Sequence, residues 1–320
     1  IEKNYNSSRK IHDEKIIRAG GISFLSIFVI FILDYQIPYE FILLSIVFLL
    51  IGLCEDLTYS INRYLRFILL LLSIIYAVIS QDLLINDFNN DLMYSLFNSN
   101  IFVTYLFSIA GFMIVVNGMN FIDGSNGLLL GWSLIIFLLF LLSSAGNSEL
   151  IGLISTISIS IILKLFIINI STGKIHTGDG GAYFIGFLVS LISILSYQEK
   201  ILSEFQIAII IFYPVIELVF TFSRRVIYRK NPFKADSAHL HIMLFKILDK
   251  KLKNKKVSRF YIKSCNSLTT LCIFFYFFLV YVLLNTLLSN EHEIFYYFSL
   301  NFFYIIAYFL VANYTKKIQD

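Results

Sequence analysis

Apolar runs recur along this chain at the spacing of membrane spans. Ten can be read, near 21–37, 39–54, 65–80, 101–117, 127–144, 150–169, 181–197, 206–222, 266–288 and 294–313. Each approaches the roughly 20 apolar residues that an α-helix needs to cross hydrocarbon. Short polar segments separate them, with no separate soluble unit and no tandem repeat. The pattern predicts an all-α, polytopic integral membrane protein of about ten helices, with residues 1–320 as one membrane-embedded domain.

Composition strengthens this. Hydrophobic residues make up 58% of the chain, charged residues 14%, and mean hydropathy is +0.79. Soluble domains carry about 25% charged residues. Charges this sparse cannot cover a soluble globule, so lipid must solvate much of the surface. Cys54, Cys265 and Cys272 lie in or beside apolar runs without metal-type spacing and read as buried thiols.

The net charge of +4 matters less than its distribution. The segments Gln81–Asn100, Ser144–Glu149 and Ser289–Glu293 hold no Lys or Arg, and Tyr197–Phe205 holds only Lys200. The alternate set holds Lys3, Arg9, Lys10, Lys15, Arg18, Arg63, Arg66, Lys174, a dense run from Arg224 to Lys263, and Lys316 and Lys317. By the positive-inside rule this set is cytoplasmic. Both ends then face the cytoplasm, as an even number of spans requires. The long basic loop at 223–264 is read as meeting anionic lipid heads, not nucleic acid.

All the unusual sequence lies on that same face. Glu55 and Asp56 are adjacent carboxylates, which repel unless a cation or donor intervenes. A solvated pair is one reading. The other is a Mg²⁺ site, since Mg²⁺ takes one or two carboxylates plus substrate phosphates. Asn117 to Gly127 carries three glycines, three asparagines (Asn117, Asn120 and Asn126) and Asp123 between two apolar runs. A tight turn needs fewer such residues, and irregular backbone at this depth suits a lined cavity. Gly178-Asp179-Gly180-Gly181 opens a span, where free N–H groups favour phosphate. Asp179 there is either a cap or a metal ligand. His239 and His241 diverge on a regular helix and converge in a turn, where they suit phosphate contact or proton handling. Lys164 and Glu217 sit toward the cytoplasmic ends of their spans and Asp34 toward an outer end. Transporters place coupling carboxylates near the midplane, so this placement weakens a transport reading.

These residues resemble, in order and over nearly the whole chain, the polyprenyl-phosphate N-acetylhexosamine-1-phosphate transferases. Arg18-Ala19-Gly20-Gly21 resembles R-x-G-G, and Gly52 to Asp56 resembles G-x-x-D-D. Asn117 to Leu128 resembles N-x-x-N-x-x-D-G-x-[DN]-G-L. Asn169 with Gly178 to Gly181 resembles N…G-D-x-[GA], and Pro214, Glu217, Arg224-Arg225, Asn231-Pro232-Phe233, Asp236 and His239-Leu240-His241 resemble the family's long fifth cytoplasmic loop. The family has eleven spans, so the resemblance implies that one more precedes Ile1. Glu55 and Asn126 stand where aspartates are usual, and Ile242 where the phospho-MurNAc-pentapeptide branch has a third histidine.

The resemblance implies transfer of N-acetylhexosamine 1-phosphate from a UDP-sugar, UDP-GlcNAc by default, to undecaprenyl phosphate at the bacterial inner membrane, the first step of a cell-envelope polysaccharide. It implies catalytic roles for Asp56, Glu55, Asp123, His239 and His241. Substrate contacts would come from Asn117, Asn120, Asn126, Asn169, Gly178, Arg66 and Arg18, and a Mg²⁺ site, with Mn²⁺ as alternative, from Asp179 and Asp56. A homodimer is left open. The rivals are a transporter of lipid-linked or nucleotide sugars and a relative that binds without turnover.

Overall fold

The computed structural model describes residues 20–26, 37–58, 62–86, 88, 94–95, 97, 99–173, 175–231, 237–253, 260–287 and 292–319. A short 3-10 segment, Gly20–Phe24, precedes the helices. These are α1 (Tyr39–Thr58), α2 (Arg63–Ser80), α3 (Ile101–Phe121), α4 (Leu128–Ser144), α5 (Glu149–Thr172), α6 (Gly178–Gln198), α7 (Glu204–Ile210), α8 (Phe212–Ile227), α9 (Leu240–Lys253), α10 (Phe260–Leu287) and α11 (Glu293–Gln319). Seven are long and apolar enough to span a bilayer, and α4 is a shorter apolar helix. The chain is thus a multi-pass, all-helical membrane protein among its described residues.

Local sequence explains the helix ends. Asn62, Asn100 and Ser148 accept backbone N–H groups at the starts of α2, α3 and α5. Ser203 and Gln206 form a reciprocal capping box on α7. Gly173, at φ 61°, ends α5 in the left-handed conformation that glycine takes without strain.

Helix α6 is the axis of the bundle. Eighteen of its residues are buried, against α1, α3, α4, α5 and the 3-10 segment. Phe48 of α1 stacks on Phe187 of α6 at 4.8 Å. Around this axis, lipid-facing leucines and phenylalanines such as Leu43, Leu72, Phe275 and Phe302 are exposed, as a bilayer allows. Gly52 makes the tightest α1–α6 approach, where a Cβ would overlap the Asp179 and Gly180 backbone.

Three expectations change here. The run at 206–222 is not one straight span: α7 and α8 meet at 82°. Pro214 lies in the first turn of α8, where its missing N–H leaves no bond unmade. The segment 223–264 is not loop throughout, because α9 lies within it and packs on α10 and α11. The stretch Asn117 to Gly127 is not wholly irregular, because α3 runs on to Phe121.

Candidate active site

One end of the bundle gathers the C-termini of α1 and α3 with the N-termini of α2 and α6. The start of α6 has no cap of its own, since Thr177 offers no side-chain bond. Asp56, at the end of α1, supplies one from across the bundle. Its two oxygens accept the N–H groups of Asp179 and Gly180 at 3.0 and 2.9 Å. Asp123 accepts the N–H of Gly178 at 3.0 Å. Two carboxylates thus meet the positive end of a helix dipole, where negative charge is favoured.

This corrects one expectation. The α6 N-terminus is not an open phosphate cradle, because carboxylates already take its first N–H groups, Gly178 included. Asp56 engages both oxygens in this cap. Its work is to hold the Asp179 backbone in place.

Asp179 itself points into the cluster. Asn120 donates to its Oδ1 at 3.0 Å, and Arg66 of α2 forms an ion pair with its Oδ2. Both members of that pair are about a quarter exposed, at 24% and 25%. The Arg66 guanidinium also lies 6.0 Å from the Tyr183 ring, within cation–π range. Glu55 is half-buried beside them, and its Oε2 has no hydrogen-bond partner among the described residues. Asn117, one turn before Asn120, returns its amide to Met113 O at 2.9 Å.

The histidines form a second cluster on the other side of the same turn. His239 and His241 stack at 5.6 Å and 12°, so the segment does bring them together. His239 precedes α9, which frees it from helical divergence. The edge of Phe121 meets its ring at 5.3 Å. His239 Nδ1 lies 3.2 Å from Glu217 Oε1. His241 abuts Gly124, where any side chain would run into its imidazole. Burial pushes the His241 pKa down to about 4, Glu217 pulls it back up in part, and His239 pushes it down further. At neutral pH it is an uncharged imidazole whose Nδ1 has no partner among the described residues.

Two residues expected at the substrate have partners inside the protein. Asn126 is 1% exposed, its side chain accepts from Asn266 Nδ2 at 3.3 Å, and its carbonyl accepts from Thr270 at 2.7 Å. Asn169 accepts from Gly127 N and donates to Ile175 O at 2.5 Å. The Asn126 amide is thus engaged by another side chain and the Asn169 amide by backbone, both within the protein. Arg18 and Asp236 lie outside the described residues. Thr221, Tyr304, Tyr308 and Asn266 were not expected at the site. Hydroxyls and amides in apolar helices carry no pattern, although the lone carboxylate of Glu217 was a signal.

Among the described residues no three His, Cys, Asp or Glu side chains converge as a metal cage. The donors present still fit a hard cation. Asp179 is a partly exposed carboxylate already matched to a positive charge, that of Arg66. One carboxylate with substrate phosphate oxygens is a usual Mg²⁺ shell.

Carboxylates, an arginine and imidazoles thus meet at one end of a polytopic helical bundle. Comparison with known proteins shows what the chain is similar to. Residues 39–197 match the model of glycosyl transferase family 4. A probable undecaprenyl-phosphate N-acetylglucosaminyl 1-phosphate transferase of Bacillus subtilis strain 168 is 28% identical over 244 residues, 73% of this chain and 67% of the relative. An undecaprenyl-phosphate alpha-N-acetylglucosaminyl 1-phosphate transferase of Thermotoga maritima is 28% identical over 234 residues, 73% of this chain and 69% of that one. A phospho-N-acetylmuramoyl-pentapeptide-transferase of Staphylococcus epidermidis is 26% identical over 247 residues, 70% and 75% respectively.

Proposed function

We propose that this chain transfers N-acetylhexosamine 1-phosphate from a UDP-sugar, UDP-GlcNAc by default, to undecaprenyl phosphate, releasing UMP. The observation that carries this is the meeting of Arg66, Asn120, Asp123 and Asp179 at one end of the bundle, in a chain whose relatives bear those names.

An oxygen of the lipid phosphate attacks the sugar-bearing phosphorus of the donor. The bond from that phosphorus to the bridging oxygen breaks, and the bridging oxygen leaves on UMP. No net proton is released when the lipid phosphate enters as a dianion, its dominant form above a second pKa of about 6. Catalysis then rests on positioning and charge neutralisation rather than on a base. This suits a site whose Asp56 is committed to a helix cap.

Arg66 is placed to take the lipid phosphate. Asn120 and Asp123 hold the donor side, and His239 and His241 face its diphosphate. Asp179 would hold Mg²⁺, with Mn²⁺ as alternative, and the ion when bound neutralises charge building on the phosphate oxygens. Nucleotide sugars are cytosolic and the basic segments cluster at this end. The site therefore faces the cytoplasm from a bacterial inner membrane, and the reaction opens a cell-envelope polysaccharide. The third histidine of the pentapeptide-transferring branch is Ile242 here, and it is buried.

The test is UMP release by the purified chain with UDP-GlcNAc and undecaprenyl phosphate. Release that needs both substrates, stops with EDTA and returns with Mg²⁺ is expected. A transporter or a binding-only relative would release none. UDP-MurNAc-pentapeptide is the control donor.

A further inference from the structure

The histidine segment is gripped from the last helix. Two tyrosines one turn apart on α11 reach it. Tyr304 donates its hydroxyl to Glu217 Oε2 at 2.7 Å, and Tyr308 donates to the carbonyl of Ala238, the residue before His239, at 3.0 Å. Glu217 passes the contact on. Its Oε1 accepts the N–H of Leu240 at 3.2 Å and lies 3.2 Å from His239 Nδ1. Thr221, one turn along α8, brings its hydroxyl to 3.5 Å from the same nitrogen. Phe220 wedges between the tyrosines, 5.6 Å from the Tyr304 ring and 4.6 Å from that of Tyr308.

Glu217 is fully buried, and a buried carboxylate persists only when donors surround it. Its donors here come from three elements: the segment before α9, the first turn of α9, and α11. A carboxylate can only accept, so the bond to His239 puts a proton on Nδ1 and leaves Nε2 to act on a substrate. A tyrosine serving only to pack α11 would have no need to end on this carboxylate, nor its neighbour on the adjoining carbonyl.

We propose that Tyr304 and Tyr308 are positioning residues, which through Glu217 and Ala238 fix the tautomer and aim of His239 beside the Asn120–Gly124 turn. The proposal rests on the phosphotransferase reading above for its effect on rate, but not for its effect on His239 itself.

The groups facing His239 are Glu217 and Thr221 from α8, His241 from α9 and the apolar ring of Phe121 from α3, with Tyr304 acting through Glu217. Tyr304→Phe removes a donor from the carboxylate, which then draws more strongly on the Nδ1 proton. Glu217→Gln removes the negative charge that draws on it.

The full chain in detergent micelles is assayed for UMP release from about pH 5.5 to 9, a window centred on imidazole titration. One hydrogen bond to a charged group corresponds to a shift of up to about one pH unit and a loss of about tenfold in kcat. Tyr304→Phe should show both, with KM for UDP-GlcNAc nearly unchanged, and Glu217→Gln should shift the same limb the other way. Tyr308→Phe should lower kcat with little shift. In parallel, ¹⁵N NMR of histidine-labelled protein reads the His239 tautomer directly and needs no turnover. If wild type releases no UMP, the phosphotransferase reading fails while the tautomer measurement still judges the clamp. A Tyr304→Phe protein with wild-type melting, wild-type kcat, an unmoved pH limb and the wild-type His239 tautomer overturns the proposal. So does a rate loss that merely tracks the loss of folded protein.

Discussion

Gly52→Ala should inactivate the protein although residue 52 touches no substrate. A Cβ at Gly52 would overlap the carbonyl of Asp179 and the nitrogen of Gly180, where ordinary contact begins near 3.4 Å. Both neighbours are backbone, so no side chain can swing aside. Helices α1 and α6 must separate by about 1 Å, and overpacking of this kind costs about 1–3 kcal/mol. Asp56 lies one turn beyond Gly52 on the same face of α1, so the same shift stretches its bonds to Asp179 and Gly180. Each bond to a charged group contributes about 1.5–3 kcal/mol. Stability should therefore fall by a few kcal/mol, and a displacement of about 1 Å at a reacting centre should cut the rate by about 100-fold. Gly111→Ala is the control, since its Cβ would meet only Ile85 Cδ1, at 4.0 Å. UMP release and thermal melting in micelles read both effects. A Gly52→Ala protein with the rate and melting point of Gly111→Ala would refute the close α1–α6 approach as what sets Asp179.

Asp179→Asn should lower UMP release at saturating substrates by at least about 100-fold, the loss typical when a charge-neutralising group goes, and binding of Mn²⁺ followed by EPR should weaken with it. His241 gives a pH signature. Its folded pKa of about 4 lies below the usual 6.5, so the unfolded chain binds the extra proton between those values. Stability from this group is complete above about pH 6.5 and is lost as pH falls toward 4, on the order of 3 kcal/mol in all. Melting followed through that window should fall for wild type and flatten for His241→Gln. Asn126→Ala strips the buried Asn266 amide of a partner and should cost about 1–3 kcal/mol by denaturant unfolding. The Asn126→Ala/Asn266→Ala double variant should cost less than the sum of the two, as coupled partners do.

Much of this architecture was legible because a bilayer makes sequence speak plainly. Hydrocarbon forces each span to be a nearly unbroken apolar run, and the seven described helices long and apolar enough to cross a bilayer fall on runs read from the chain. The exception is instructive. The run at 206–222 is apolar throughout, so hydropathy alone could not mark the 82° break at Ile211. The site was legible as a set of residues but not as a set of partnerships. Asp56, Asp123, Asn126 and Asn169 look alike in sequence, as polar groups beside a glycine or one helical turn from one. Which of them meets a ligand depends on whether a backbone N–H lies opposite. For Asp56 that N–H belongs to a residue 123 positions away. Asn126 finds its partner 140 positions on, in a helix with no motif of its own. Tyr304 was invisible for a related reason: with 20 tyrosines in the chain, only position tells a positioning hydroxyl from an interfacial one.

The choice between enzyme and transporter turns on what occupies the middle of the bundle. A transporter needs polar groups at mid-depth with bonds to spare for cargo. Helix α6 is the most enclosed element here, and Asp179 in its first turn is its sole charge. The hydroxyls of Ser190 and Ser193 further along donate to carbonyls of the same helix, four residues back, at 2.8 and 2.7 Å. Ser133 on α4 does likewise, to Leu129 O at 2.7 Å. Hydroxyls satisfied within their own helix relay nothing to a neighbour. Beside them Phe48, Phe112 and Phe187 pack ring against ring at 4.8 to 6.3 Å. Charge is therefore concentrated at one end of the bundle, where Arg66 and Asp179 remain partly exposed, while the groups without partners deeper among the described helices, such as Ser155, Ser158 and Trp132, are uncharged. Such a distribution favours chemistry at an interface over passage through the core. It would be overturned by sugar flux through vesicles that carry the chain but release no UMP.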